Sequence, residues 1–143
     1  MTSNLRFSSK SPCDCFIFDG DVLFPLELKS VSGKSISFER TENDKGVIHK
    51  HQIDYLSDAS HFKNVIPGFI LDFRSSEKTY FYFIGDFQNM INHITKKSFN
   101  EVDMEKYGQP ILVDKRKLKV NYRYDINKLL DDIKSKRIKG EDL

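Results

Sequence analysis

The sequence has 143 residues, 38% of them hydrophobic, with 23 Lys and Arg against 21 Asp and Glu, a formal charge of +2. That length and apolar content favour one compact domain with a single sizeable core, and the near-neutral balance gives no global positive field of the kind that announces a nucleic-acid partner. No run approaches the roughly 18–20 apolar residues of a membrane span, and the start, MTSNLRFSSK, lacks the apolar stretch of a signal peptide, so no membrane partner and a cytoplasmic location are expected.

In chain order, the aromatic run CFIF reaches a turn signal, DGD at residues 19–21, and then VLFPLELK; this pattern predicts a β-hairpin. A further strand is expected in GKSISFE, where Ile36 and Phe38 alternate with serines and Gly33 marks a bend. After the polar loop RTENDKG, residues 47–59 place Ile48, Ile53, Tyr55 and Leu56 at spacings that predict a short helix. VIPGFILDFR and KTYFYFIG, separated by SSE, read as a second hairpin carrying the most buried strands. A helix over 86–97 is expected to open on Asp86 as its cap and end in lysines, with Phe87, Met90, Ile91 and Ile94 on one face. An irregular basic stretch follows, then a last helix over 124–137 built on Ile126, Leu129, Leu130 and Ile133. The plan is α/β, a mixed central sheet flanked by helices, in one domain spanning 1–143 with a basic helical segment from about residue 114.

The chemistry concentrates in FPLELKS. Alternation along a strand puts Glu27 and Lys29 on one side and Leu26 and Leu28 on the other. An isolated pair of this kind is usually a surface ion pair contributing roughly 0–1 kcal/mol. Here Asp14 lies across the hairpin turn, where it can approach Glu27. Two close carboxylates repel unless a proton or cation lies between them, and such oxygen ligands suit Mg²⁺ or Mn²⁺. A lysine alongside can orient the attacking water or stabilise charge on a phosphate.

The pattern Pro12-Cys13-Asp14, a turn, then Glu27-Leu28-Lys29 resembles the PD-(D/E)xK nuclease superfamily. Through RFSSKSPCDCFIFDGDVLFPLELKSVSGKSISF, HKHQIDYL, GFILDFRSSEKTYFYF and, more faintly, MEKYGQPI, it is similar to the RecU-type Holliday junction resolvases of Gram-positive bacteria and their phages. The resemblance covers about residues 6–112. It implies a restriction-endonuclease-like core and a homodimeric, Mg²⁺-dependent endonuclease acting on branched DNA in recombination or repair. Metal ligands would fall on Asp14, Glu27 and the backbone carbonyl of Leu28, the catalytic lysine on Lys29, and a helix glutamine near the site on Gln52. The family's upstream helix and junction-binding stalk have little room ahead of Asp14, so a fold shortened at its amino terminus is expected.

Around this group, Lys34, Arg74, Lys115, Arg116 and Lys117 are candidate contacts to a DNA backbone, while a solvated basic face is the blander reading of each alone. His49 and His51 flank Gln52 and suit capping or core contacts better than phosphate. Cys13 and Cys15 have poor spacing for a disulfide and no partners for zinc. Two rival functions stand beside the resolvase: a PD-(D/E)xK nuclease with another DNA substrate, and a catalytically silent DNA-binding or interaction module of the same fold.

Overall fold

The computed structural model describes residues 12–117 and 122–141. Its centre is a five-stranded sheet of β1 (Cys15–Phe18), β2 (Leu23–Val31), β4 (Gly68–Phe73), β5 (Lys78–Phe83) and β7 (Ile111–Leu112), in that spatial order. β2 and β4 run parallel and the other pairs are antiparallel, so the sheet is mixed. Parallel neighbours need a crossover, and α1 (Lys50–Ala59) lies in the one between β2 and β4. Between β2 and α1 comes β3 (Ser35–Ser37), which pairs with β6 (Ser98–Asn100) rather than with the main sheet.

The β1–β2 hairpin turns where the sequence signals it. Asp19 Oδ1 accepts from the N–H groups of Asp21 and Val22 at 3.0 and 2.8 Å, and Gly20 supplies the positive φ of 94°, which an L side chain resists. β4 lies at the middle of the sheet, where Gly68 allows close packing: a Cβ there would stand 2.5 Å from the Phe81 ring.

Each face of the sheet carries its own core. On one, Phe69, Leu71 and Phe73 of β4 and Tyr80 and Tyr82 of β5 pack with Ile53 and Leu56 of α1 and with Phe87 and Met90 of α2 (Ile84–His93). Met104 of α3 (Glu101–Tyr107) joins them. On the other, Phe24, Leu26 and Phe81 pack against Leu129, Leu130 and Ile133 of α4 (Ile126–Glu141). Burying such side chains is the main stabilising term, roughly 1.5–3 kcal/mol for each large one.

Three expectations need correction. Asp86 is not the cap of α2 but lies in its first turn, with Phe83 at the N-cap. Its carboxylate accepts instead from the Gln109 N–H at 3.0 Å. The helix also stops at His93, short of the lysines, because the Arg40 guanidinium takes the carbonyls of Ile91, Ile94 and Lys96 at 2.7–2.9 Å as the chain leaves for β6. The stretch read as irregular holds α3, β7 and a separate ribbon of β8 (Lys115–Lys117) and β9 (Tyr122–Tyr124). Among the described residues, no helix is long and apolar enough to cross a membrane.

Candidate active site

Register builds the site. β1 pairs with β2 so that Cys15 faces Leu26, which brings the preceding residue, Asp14, beside Glu27. Asp14 is exposed, and its Oδ2 accepts the Leu28 N–H at 2.9 Å, which clamps the start of β1 to the motif strand. Parallel pairing sets Glu27 opposite Phe69 and Lys29 opposite Leu71, so both charged residues lie on the face covered by α1 and α2. Leu28, on the opposite face, is 47% exposed.

Glu27 is the focus of the cluster and is only 2% exposed. Gln52 Nε2 donates to its Oε1 at 2.7 Å, and Lys29 Nζ stands 3.4 Å from the same oxygen. Gln52 is fixed in turn, because its Oε1 accepts the His49 N–H at 2.9 Å, an arrangement that ties the amide to the start of α1. Burial first, then the hydrogen bond and charge of Asp14, push the Glu27 carboxyl up to about 7, against the opposing pull of Lys29. Glu27 therefore keeps its proton to a higher pH than an exposed carboxylate would.

This donor set fits a hard divalent cation. Two carboxylates converge, the Leu28 carbonyl lies on the same strand, and Mg²⁺ typically retains several waters when one or two carboxylates hold it. Among the described residues no group of three or more His, Cys, Asp or Glu side chains converges, so waters or a phosphate would complete the sphere.

Asp14, Glu27, Lys29 and Gln52 thus come together, whereas the basic residues scatter. Lys34 is exposed between β2 and β3. Arg74 is exposed just past β4, its Nε donating to Ser30 Oγ at 3.0 Å. Lys115 turns inward, 3.3 Å from Thr79 Oγ1 and 3.9 Å from Asp72 Oδ1, with its side chain 11% exposed. Arg116 points away from it and is exposed. Lys117 is described by its backbone position opposite Tyr122, its side chain lying outside the described residues.

The network beneath Lys115 escapes a reading of the sequence. Asp72 accepts from Ser30 Oγ at 3.0 Å and from Thr79 Oγ1 at 2.9 Å, joining three strands. Its one sequence signal is an acid inside the apolar run GFILDF. Glu39 is a second such residue. Its carboxylate meets His49 Nδ1 at 2.8 Å and accepts the Lys50 N–H at 3.1 Å, so it anchors the turn that presents Gln52. His49 stands at the N-cap of α1, with its ring held by Glu39 rather than bonded to the helix N–H groups. Cys13 and Cys15 are not joined in a disulfide, and the buried Cys13 Sγ donates to the Cys15 carbonyl at 3.4 Å.

No family model matches the sequence. The chain is similar to the SPbeta prophage-derived uncharacterized protein YotM of Bacillus subtilis (strain 168), at 38% identity over 138 residues, a match that covers 87% of this chain and 67% of the relative.

Proposed function

From a chain that belongs to the family of the SPbeta prophage-derived protein YotM, and whose two carboxylates, lysine and amide meet around Glu27 of β2, we propose a metal-dependent endonuclease of the PD-(D/E)xK type. Its fold would be restriction-endonuclease-like and its nearest functional model the RecU-type resolvases, with branched DNA such as a four-way junction as substrate. The observation that carries the reading is the buried Glu27, held by Lys29 and Gln52 on one oxygen and paired with Asp14. A carboxylate serving only structure would gain little from a neighbour of like charge.

In this mechanism Asp14, Glu27 and the Leu28 carbonyl would hold Mg²⁺ or Mn²⁺, and such a cation would acidify water and offset charge on the phosphate. Glu27 would give up its proton to serve as a ligand. Lys29 Nζ, which now faces Glu27 Oε1, orients the nucleophile or steadies the charge that builds on the scissile phosphate. Gln52 holds Glu27 Oε1 in place through an amide whose other end is fixed by the His49 N–H. Paired symmetric cuts in a two-fold junction need two sites, which a homodimer supplies.

Cleavage of a labelled four-way junction with Mg²⁺ or Mn²⁺ tests the reading. The wild type should produce paired nicks that Asp14→Ala, Glu27→Ala and Lys29→Ala each abolish while remaining folded. Flap and linear substrates in the same panel separate a resolvase from another nuclease of this type. A second reading, a silent DNA-binding module, draws on the convergence of two acidic side chains rather than three among the described residues. It predicts binding indifferent to Lys29→Ala and no cleavage with either metal.

A further inference from the structure

The β8–β9 ribbon pairs Lys115 with Tyr124, Arg116 with Arg123 and Lys117 with Tyr122. Residues directly opposite in such a ladder share a face and lie about 4.5–5.5 Å apart at Cα. The two arginines are therefore neighbours on the face opposite Lys115, and both are exposed. Like charges in that position are destabilising by roughly 0.2–1 kcal/mol.

The nearby carboxylates have partners on α4. Asp114 and Asp125 follow the arginines along the same face, with the Asp125 N–H donating to the Asp114 carbonyl at 2.9 Å. Asp114 is ion-paired with Lys128, and Asp125 Oδ1 accepts the Lys128 N–H at 3.0 Å at the start of α4. Both acids are thus committed to the helix. Together with Arg116, Arg123 and Asn127 they line an open concavity of about 670 Å³.

Two guanidinium forks opposite one another, in a concavity whose acids are engaged elsewhere, suit an anion with several acceptor oxygens. We propose that Arg116 and Arg123 form a clamp for a backbone phosphodiester of nucleic acid. The inference deepens the nuclease reading and rests on it for the substrate class. A cavity of about 350 Å³, lined by Leu28 and Ile70 of the sheet and by Tyr124 and Ile126, joins the base of the ribbon to the sheet face opposite Glu27. Alternation also revises the basic triplet, since Lys115 braces the ribbon against Asp72 and Thr79 while Arg116 faces outward.

The test is fluorescence anisotropy of a labelled four-way junction in EDTA, where cleavage cannot occur, across about 50 to 200 mM salt. Arg116→Gln/Arg123→Gln should weaken binding about tenfold at the low-salt end and lower the slope of log affinity against log salt by about 1. Arg116→Lys/Arg123→Lys should restore the slope but only part of the affinity, because it keeps the charge and loses the forks. A thermal melt checks that the glutamine variant stays folded. Wild-type affinity and slope in that variant would overturn the clamp, as would absence of junction binding by the wild type. Inorganic phosphate supplies a separate arm: if it raises the wild-type melting temperature while junction binding is indifferent to both arginines, the pair is a free-phosphate site and the proposal falls. Arginine-dependent binding without cleavage would leave the clamp standing and remove only the nuclease reading.

Discussion

Replacing Glu27 by Gln should make the metal-free protein more stable at alkaline pH while abolishing cleavage. The substitution keeps the shape. Its Oε1 still accepts from Gln52 Nε2, and its new N–H₂ group donates to Asp14, replacing the hydrogen bond that the protonated acid makes. The magnitude follows from the carboxyl being raised from 4.5 to about 7. About 2.5 units correspond to a ceiling of about 3 kcal/mol, which water at the exposed Asp14 screens to about 1–2 kcal/mol. The sign is that of a raised acid: the stabilisation is fully present below the unfolded value and is lost as pH climbs through 7. In EDTA at about pH 8, Glu27→Gln should therefore melt about 2–8 °C above the wild type, and at about pH 4 the two should nearly coincide. Circular dichroism melts at the two pH values decide it. A variant that is less stable at about pH 8, or a difference independent of pH, would refute the claim that burial and Asp14 destabilise an ionised Glu27.

Mg²⁺ should reverse the order, stabilising the wild type and not Glu27→Gln, and its affinity should rise about tenfold per pH unit below 7 and level off above it, as read by calorimetry. Glu39→Gln should leave junction affinity unchanged and lower the cleavage rate about tenfold, since it loosens the turn that aims Gln52 without touching DNA; an unchanged rate would separate that turn from the site. Gly68→Ala should cost about 1–3 kcal/mol in urea unfolding, because its Cβ would press on the Phe81 ring at 2.5 Å. Acid titration should show stability falling from about pH 4 towards 2 as Asp19 and Asp44 protonate. Both carboxyls are lowered to about 2, chiefly by Lys134 and Lys97 respectively, so the stability they lend is present above the unfolded value and disappears below it. Asp19→Asn/Asp44→Asn should flatten that limb.

The first hairpin was legible because its signals are local: DGD sets the turn, and alternation separates Glu27 and Lys29 from Leu26 and Leu28. Both hairpins and the three longer helices follow from patterns of that kind, with shifts at their ends. The destination of SIS was not legible. Ile36 and Phe38 read as a strand, yet the partner is Ser98–Asn100, more than sixty positions away, and no local pattern names a distant partner. The ribbon was hidden for a related reason. Its lysines and arginines outweigh its apolar residues, so composition suggests a solvated coil, while the pairing depends on Lys115 finding Asp72 and Thr79. In the site, the Asp14 and Glu27 neighbourhood could be read from turn spacing. Gln52 came from resemblance alone, because a helix amide carries no signal until the crossover folds it over β2. Glu39 gave none either, being one acid at the end of the stretch GKSISFE.

The order of the chain along the sheet has a kinetic consequence. Asp14 to Lys29 closes as one hairpin, a contact of the short range that forms fast, but β2 finds its other neighbour only when β4 arrives, with Ser30 and Asp72 separated by 42 residues. Until then the nine residues Leu23–Val31 present an unpaired edge to other chains, as nascent strands do. The strand that carries Glu27 and Lys29 is thus open to misassembly during synthesis. The arrival of β4 and its crossover helix both shields that edge and delivers Gln52 to Glu27, so the protein gains protection from aggregation in the same folding event that completes its site.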